Sequence, residues 1–312
     1  MSVDPWMWWA FGAGFSGLLA VDLFGRRGSR TVSLKEAGAW SALWISLGLG
    51  FGAVLLVWQG GQAAGEYLAG YLIEYSLSVD NIFVFAVILG YFSVPSEYRH
   101  KVLFWGILGA IFLRGIFIFG GAALINHFEW AIYVFGAFLV ITAIRMAIKG
   151  EEEIEPANNP VLKLLQRKLP VSEEYDGPKL LSRQGGRLVA TPMMVVLVGL
   201  NVIDVIFAFD SIPAIFGVTT NTFIVFTSNA FAILGLRSLY FLLEGVMDRF
   251  VYLNYGLAVI LGFVGCKMLV SHLVEIPIWT SIAFISVALG VTIFLSWRKQ
   301  PAGQKEAAAA GP

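Results

Sequence analysis

The chain has 312 residues, of which 58% are hydrophobic and only 13% are charged, and its mean hydropathy is +0.77. A typical soluble domain carries about 25% charged residues, so this composition excludes an ordinary soluble domain and indicates a membrane protein. The formal net charge is zero, which gives no reason to expect a nucleic-acid partner. The single cysteine, Cys266, excludes an internal disulfide and a thiolate metal cage.

Nine stretches of the chain are long and apolar enough to cross a membrane, which takes about 20 mostly apolar residues. They are residues 6–24, 37–58, 66–93, 102–125, 129–149, 190–217, 222–244, 251–270 and 277–296. The first is retained as a helix, because the N-terminus lacks the basic region of a signal peptide. The sequence therefore predicts an all-α integral membrane protein with nine transmembrane helices.

Lysine and arginine alternate between successive loops: the loops after odd-numbered spans contain them, and those after even-numbered spans do not. Basic residues accumulate in the cytoplasmic loops of membrane proteins. The pattern predicts a bacterial cytoplasmic (inner) membrane protein with its N-terminus outside and its C-terminus in the cytoplasm. Residues 161–169 predict either an amphipathic surface helix or a solvated linker, and the tail 302–312 is predicted to be disordered.

Two stretches of the chain resemble each other, EYSLSVDNIFVFAV from Glu74 and NVIDVIFAFDSIPAIF from Asn201. In both, one acid is followed six positions later by a second acid and then by a small polar residue. Similar matches downstream make spans 3–5 a repeat of spans 6–8. Because three is an odd number, the two units must enter the membrane from opposite sides, which is the inverted repeat of many transporters.

The repeat divides the chain into five predicted segments. The first, second and ninth spans are assigned to a scaffold, because they are taken to lack such acids. The segments are 1–65 with two scaffold helices, 66–149 with the first three-helix unit, 150–189 as a cytoplasmic loop, 190–270 with the second, inverted unit, and 271–312 with the final helix and tail.

Four acids lie inside the two similar spans: Glu74 and Asp80 in span 3, and Asp204 and Asp210 in span 6. A charged side chain at mid-membrane costs several kcal/mol, so these groups must pair, protonate or hold a cation. Carboxylate, amide and hydroxyl oxygens suit hard divalent cations such as Mn²⁺, Mg²⁺ or Ca²⁺. The predicted metal-ligand set is Glu74, Asp80, Asn81, Asp204, Asp210 and Ser211.

Helix geometry limits how these acids can meet. Side chains six positions apart point about 120° apart around an intact helix, so Glu74 and Asp80 cannot share a face. One hypothesis, which the sequence favours, is that both spans unwind locally, since Pro213 lacks a backbone donor and loosens span 6. The other keeps the helices intact and splits the acids: Glu74 acts with Asn81 and Asp204 with Ser211, while Asp80 and Asp210 act elsewhere.

Two arginines offer an alternative to a cation site. Arg114 and Arg237 lie inside neighbouring spans and need counter-ions if they are buried. The acids could therefore form structural ion pairs with them, or an arginine could neutralise a carboxylate only while a cation is absent. The residues predicted to be auxiliary to the site are Ser78, Asn201, Asn229, Arg114 and Arg237.

Four segments in order, EYSLSVDNIFVFAVIL, LFWGILGAIFLRGIFIFGG, LNVIDVIFAFDSIPAIF and TSNAFAILGLRSLYFLLEG, together resemble the TerC family of integral membrane proteins, including its Alx members. The resemblance covers about residues 66–270. The family is named for tellurium resistance, and its Alx branch is associated with manganese export. The resemblance implies that the six predicted ligands are the metal-related set. An acid-lined cavity should not admit the tellurite oxyanion, so any resistance would be indirect.

The function predicted from these features is a secondary transporter that exports Mn²⁺, with proton antiport as a natural coupling because cations and protons compete for carboxylates. No Walker motif is present, which argues against an ATP-driven pump. The alternative is a non-transporting membrane subunit of a metal-homeostasis or tellurite-resistance complex, docking a partner through the 150–189 loop. An enzyme is the weakest reading. The expected partners are the lipid bilayer, a divalent cation and protons, with no organic cofactor.

Overall fold

The computed structural model describes residues 3–24, 33–128, 130–149, 171–172, 175–184, 187–244, 252–271, 273–274 and 276–298. The regular secondary structure of these residues is α-helical apart from one hairpin. The helices are α1 Pro5–Phe24, α2 Leu34–Gln59, α3 Gly61–Tyr91, α4 Ser96–His127, α5 Ala131–Lys149, α6 Pro192–Phe216, α7 Thr222–Leu234, α8 Leu236–Leu243, α9 Leu253–Leu269 and α10 Ile278–Arg298. Strands β1 Leu181–Gln184 and β2 Arg187–Ala190 pair antiparallel between α5 and α6.

Seven helical segments in the described ranges are long and apolar enough to cross a membrane, with the α7–α8 pair counted as one. The other six are α2, α3, α4, α5, α6 and α10. Helix α9 is apolar but shorter, and α1 is not among the seven. The predicted membrane class is therefore confirmed, whereas the total of nine spans and their orientation remain predictions from the sequence.

The predicted unwinding of spans 3 and 6 is wrong. Helix α3 runs unbroken from Gly61 to Tyr91, and α6 continues through Pro213 to Phe216. Pro213 lies within the last turn of α6, where its missing N–H removes little of the helix. The Ser76 hydroxyl donates back to the carbonyl of Leu72, a local bond that leaves the α-helix intact.

The helical break falls in the seventh predicted span instead. Helix α7 ends at Leu234 and α8 begins at Leu236, with Gly235 between them. A Cβ on Gly235 would lie 3.2 Å from the Cβ of Trp44 on α2. The glycine therefore permits a close approach of α2 to the backbone between α7 and α8.

Helix α3 lies at the centre of the bundle and packs against α2, α6, α7 and α10. Helix α4 packs along α6 and against α7, while α5 lies along α9. The α5–α9 contact is backbone-close, because a Cβ on Gly265 would lie 2.8 Å from the Gly136 carbonyl oxygen. In the apolar windows, 89% of the α7–α8 pair is buried but only 22% of α5 and of α10. The outer helices thus offer their apolar surface to lipid.

The segment that precedes the β hairpin, part of the predicted 150–189 loop, contacts the end of α3. The Tyr175 hydroxyl donates a 2.6 Å hydrogen bond to the carbonyl of Phe92. Nearby, Asp176 accepts from Ser182 at 2.8 Å and from Lys179 at 3.1 Å, and these hydrogen bonds lower the pKa of Asp176. The predicted surface helix at 161–169 and the predicted disordered tail at 302–312 lie outside the described residues.

Candidate functional site

The side chain of Arg114 on α4 joins two acids from different helices. Its Nε donates to Asp204 Oδ2 at 2.9 Å and its Nη2 donates to Asp204 Oδ1 at 2.8 Å, so the pair is bidentate. Its Nη1 donates to Glu74 Oε1. The exposed fractions are 1% for Arg114, 1% for Asp204 and 0% for Glu74. Arg114 therefore ties α3, α4 and α6 together through charged hydrogen bonds, which are stronger than neutral ones.

Two neutral groups complete the shell around the guanidinium. Nη1 of Arg114 also donates to Ser211 Oγ at 3.2 Å. With its amide oriented so that Nδ2 donates to the Leu77 carbonyl at 3.0 Å, Asn81 accepts from Arg114 Nη2 at 3.3 Å through Oδ1. A guanidinium has five N–H donors. All five of those on Arg114 thus have an acceptor.

The charges at this cluster do not balance. Two carboxylates and one guanidinium sum to one negative charge, −2 + 1 = −1. Glu74 Oε1 accepts from Arg114 and, at 3.1 Å, from Ser78 Oγ. Glu74 Oε2 is buried and has no hydrogen-bond donor within the described ranges. The surplus charge therefore sits next to an unsatisfied oxygen, an arrangement that costs free energy when it is buried.

The three charged residues of the cluster lie near the midpoints of their helices. Glu74 is near the middle of α3, Arg114 near the middle of α4, and Asp204 near the middle of α6. Each helix is long enough to cross a membrane, and a residue halfway along a spanning helix lies near the bilayer centre. The cluster is therefore remote from both membrane surfaces.

The structure assembles only part of the predicted six-ligand set. Glu74, Asn81, Asp204 and Ser211 meet around Arg114. Asp210 does not join them, because the intact α6 turns its side chain toward α5, where it accepts from Thr142 Oγ1 at 3.2 Å. The side chain of Asp80 lies outside the described part of the structure. In this conformation Asp210 lies apart from the Arg114 cluster, as in the hypothesis that splits the acids, and the role of Asp210 and Asp80 as metal ligands stays a prediction.

The auxiliary residues behave differently from one another. Ser78 belongs to the cluster, as stated above. Asn201 instead donates to the Leu197 carbonyl at 2.8 Å, and a Cβ on Gly109 would lie 2.1 Å from Asn201 Oδ1. Asn201 thus packs directly on the backbone of α4. Asn229 on α7 is 2% exposed, and its buried Nδ2 has no partner within the described ranges.

Arg237 pairs with an acid that the sequence analysis assigned no role. Its Nη2 lies 2.7 Å from Asp22 Oδ1 on α1 and also donates to the Asp22 backbone carbonyl. Its guanidinium carbon lies 5.8 Å from the centre of the Phe104 ring. The assignment of the first span as free of such acids is wrong, and among the described acids Arg237 pairs with Asp22 rather than with Glu74, Asp204 or Asp210. The signal was present as an aspartate inside the apolar run LLAVDLF at 18–24.

A further polar cluster at one end of the bundle was also missed. Glu66 near the start of α3 accepts from Thr219 at 2.6 Å and from Gln62 at 2.8 Å. Lys267 of α9 is in electrostatic range of Glu66 and donates to Ser281 of α10 at 3.0 Å. These contacts link α3, the α6–α7 loop, α9 and α10. This polar cluster lies at one end of the bundle, away from Arg114, and holds the helices together there.

The oxygen atoms around Arg114 are of the type that hard cations prefer. Most of them already accept hydrogen bonds from the guanidinium. Across the described ranges, no group of three or more His, Cys, Asp or Glu side chains is placed to hold a metal ion. The described set at the cluster is two carboxylates, an amide and two hydroxyls. Such oxygens fit a hard divalent cation in type. In this conformation an ion could use them only if Arg114 moved away.

Comparisons with known proteins assign the chain to a group. The family model described as "Integral membrane protein TerC family" matches residues 59–304. The chain is 46% identical over 296 residues to "Uncharacterized membrane protein STKORF319" of Myxococcus xanthus, covering 94% of this chain and 92% of that protein. It is 46% identical over 302 residues to "Putative membrane-bound redox modulator Alx" of Escherichia coli (strain K12), covering 94% of each. No solved structure matches the chain.

Proposed function

This chain belongs to the TerC family of integral membrane proteins, and we propose that it is a secondary transporter that exports divalent metal cations, Mn²⁺ foremost. The observation that carries the proposal is the convergence of Glu74 and Asp204, from separate helices, on one buried point that retains a net negative charge. Ionisable groups inside membrane spans are costly, and where they occur they mark ion and substrate pathways.

The types of donor at the cluster favour a hard cation as the transported substrate. Glu74 and Asp204 supply carboxylates, Asn81 an amide oxygen, and Ser78 and Ser211 hydroxyls. Oxygen donors of this kind suit Mn²⁺, Mg²⁺ and Ca²⁺ rather than softer ions. The net charge of −1 repels anions, so an oxyanion such as tellurite does not fit the site.

The way the helices pair supports an inverted repeat around this site. Helix α3 of the first unit packs on α7 of the second, as α6 of the second unit packs on α4 of the first. The third helices, α5 and α9, pack against each other. Exchanging the two units leaves this pattern unchanged. Transporters with such repeats bind substrate near the midplane, between the units, which is where the Arg114 cluster lies.

Coupling to protons follows from the chemistry of the ligands. Carboxylates bind a metal ion in their ionised form, so metal binding and protonation compete for the same oxygens. In the proposed cycle the site takes up a divalent cation on the cytoplasmic side, releases it outside and returns with protons.

The test is uptake of Mn²⁺ into proteoliposomes that contain the purified full-length protein and a trapped Mn²⁺-sensitive dye. We expect uptake above that of empty vesicles for the wild type, and none for Asp204→Asn, because the amide removes a charged ligand. Asp176→Asn, an exposed carboxylate outside the spans, is the matched control and should retain uptake. Folded wild-type protein that moves no Mn²⁺ in either direction would sink the proposal.

One observation favours the alternative of a non-transporting membrane subunit in a metal-homeostasis or tellurite-resistance complex. Every N–H of Arg114 is hydrogen bonded, so the cluster also works as a structural tie between three helices. In such a subunit the 150–189 loop would dock a cytoplasmic partner. The same vesicles distinguish the two functions, because a non-transporting subunit moves no Mn²⁺. A subunit would instead bind a cytoplasmic partner, and a variant with residues 150–189 replaced would lose that binding.

A further inference from the structure

We propose that Arg114 is a tethered counter-ion: its guanidinium occupies the cation site while that site is empty, and a divalent cation binds by displacing it from Glu74 and Asp204. This inference rests on the proposed transport function and deepens it. It makes Arg114 the residue that sets the preference of the site for ions of charge +2.

The position of the guanidinium is the first argument. Of the four carboxylate oxygens of Glu74 and Asp204, three accept hydrogen bonds from Arg114: Glu74 Oε1, Asp204 Oδ1 and Asp204 Oδ2. The hydroxyl of Ser211 and the amide oxygen of Asn81 face the same group. These atoms are the ones that a bound ion would need. A metal ion and the guanidinium therefore cannot use them together.

The charge balance is the second argument. With Arg114 in place the cluster carries −2 + 1 = −1. A divalent cation added beside the guanidinium would give +1 and place two cations in contact inside an apolar bundle, where their repulsion is poorly screened. A divalent cation that replaces the guanidinium gives −2 + 2 = 0. A monovalent cation in the same place leaves −1 and gains nothing over Arg114.

The free carboxylate oxygen provides a starting point for the exchange. Glu74 Oε2 is buried and accepts no hydrogen bond within the described ranges. It is the oxygen that an incoming cation can reach first, while the hydrogen bonds of Arg114 to the other three oxygens break. Arginine keeps its charge at every physiological pH, so the guanidinium is always ready to reoccupy the site once the metal ion leaves.

Arg237 is a natural control for this inference. It is also buried, at 3% exposed. Its charged partner among the described residues is one carboxylate, that of Asp22, so the pair is neutral. A divalent cation in place of Arg237 would leave a charge of +1 on a single carboxylate. Loss of Arg237 should therefore create no metal site.

The experiment measures Mn²⁺ binding to the full-length protein in nanodiscs from the loss of the free-ion electron paramagnetic resonance signal, together with thermal unfolding. We expect Arg114→Gln to bind Mn²⁺ at least about tenfold more tightly than the wild type. Its unfolding temperature should be low in chelator and rise with Mn²⁺ more than that of the wild type. Arg237→Gln should have wild-type affinity. Na⁺ should compete with Mn²⁺ in Arg114→Gln, where no guanidinium has to be displaced, and should not compete in the wild type or in Arg237→Gln.

Chemical rescue adds a measurement that a purely structural role of Arg114 would not affect. Methylguanidinium ions added to Arg114→Gln should occupy the vacated place and weaken Mn²⁺ binding there, while leaving binding by the wild type unchanged. In vesicles, the same variant should show a lower KM for Mn²⁺ and a lower maximal rate, because no internal cation remains to expel the metal ion.

The outcomes separate this inference from the proposed function. If Arg114→Gln binds and transports Mn²⁺ as the wild type does, the tethered counter-ion is overturned and transport stands. If neither protein binds Mn²⁺, both ideas fail. Should Arg114→Gln not fold, Arg114→Lys, which keeps the charge but loses the bidentate fork, is expected to bind Mn²⁺ more tightly than the wild type, and unchanged affinity overturns the inference.

Discussion

Two buried arginines lie in the two segments that the sequence predicts to be repeats of each other, and their surroundings differ. Arg114 is shared by Glu74 and Asp204, and the cluster retains one negative charge. Arg237 is held by Asp22 alone among the described carboxylates, and that pair is neutral. Both guanidinium groups are almost fully buried, at 1% and 3% exposed. Burial is therefore common to the two arginines, and charge balance is what distinguishes them.

The difference lies in which helices supply the acids. Asp22 comes from α1 and pairs with Arg237 of α8, whereas Glu74 of α3 and Asp204 of α6 both bond to Arg114 of α4. Removing one partner of a buried ion pair leaves an uncompensated charge. Under the proposed function, the Arg237 pair has a structural role and the Arg114 cluster handles the ion.

Asp22→Asn should have the largest effect on stability, because it leaves Arg237 buried without its carboxylate. Breaking a buried pair by removing one partner costs about 3–5 kcal/mol, which an unfolding titration in SDS would measure. The double variant Asp22→Asn, Arg237→Gln should recover most of this loss, since it no longer buries an arginine without its carboxylate. A single variant as stable as the wild type would mean that Arg237 does not depend on Asp22.

Glu74→Gln should separate stability from transport. It converts the Arg114 cluster into a balanced pair of Arg114 and Asp204, so the free energy of unfolding should change by less than about 1.5 kcal/mol. Mn²⁺ uptake should nevertheless fall by about 100-fold or more, as expected on loss of a metal ligand. Glu97→Gln, at an exposed position on α4, is the control. If Glu74→Gln retained Mn²⁺ uptake, the Arg114 cluster would have no more part in transport than the Arg237 pair has.

Gly109→Ala should disturb the Arg114 cluster through packing and leave the Arg237 pair unaffected. The added Cβ would lie 2.1 Å from Asn201 Oδ1, so either the Asn201 side chain or the helices must shift, at a cost of about 1–3 kcal/mol for overpacking. Gly120→Ala on the same helix has nothing within 4 Å and should be close to neutral. Equal stabilities of the two variants would show that the α4–α6 approach does not depend on Gly109.

Asp210→Asn should have the smallest effect. Asp210 is half-buried and bonded to Thr142, away from both arginines, so we expect Mn²⁺ uptake to stay within about twofold of the wild type, as for other substitutions outside a site. The measurement is the same vesicle assay. Uptake as low as that of Glu74→Gln would indicate that Asp210 reaches the ion in another conformation.

The helices were predictable because they depend on local composition. The predicted spans 66–93 and 190–217 correspond to α3 at Gly61–Tyr91 and α6 at Pro192–Phe216. The helical period also predicted which polar groups share a face with Glu74 and with Asp204. The presence of Pro213 was a poor guide to unwinding, because a proline so near the end of α6 interrupts few of its hydrogen bonds.

The sequence by itself determined the membrane class, the helical segments and the acids that lie inside them, since hydropathy and helical period are properties of neighbouring residues. Only the tertiary structure decided which charges meet. Arg114 and Asp204 are 90 positions apart, and Arg237 and Asp22 are 215 apart. No local pattern encodes such partners, because they are selected by how whole helices pack and by the need to neutralise each charge that the packing buries.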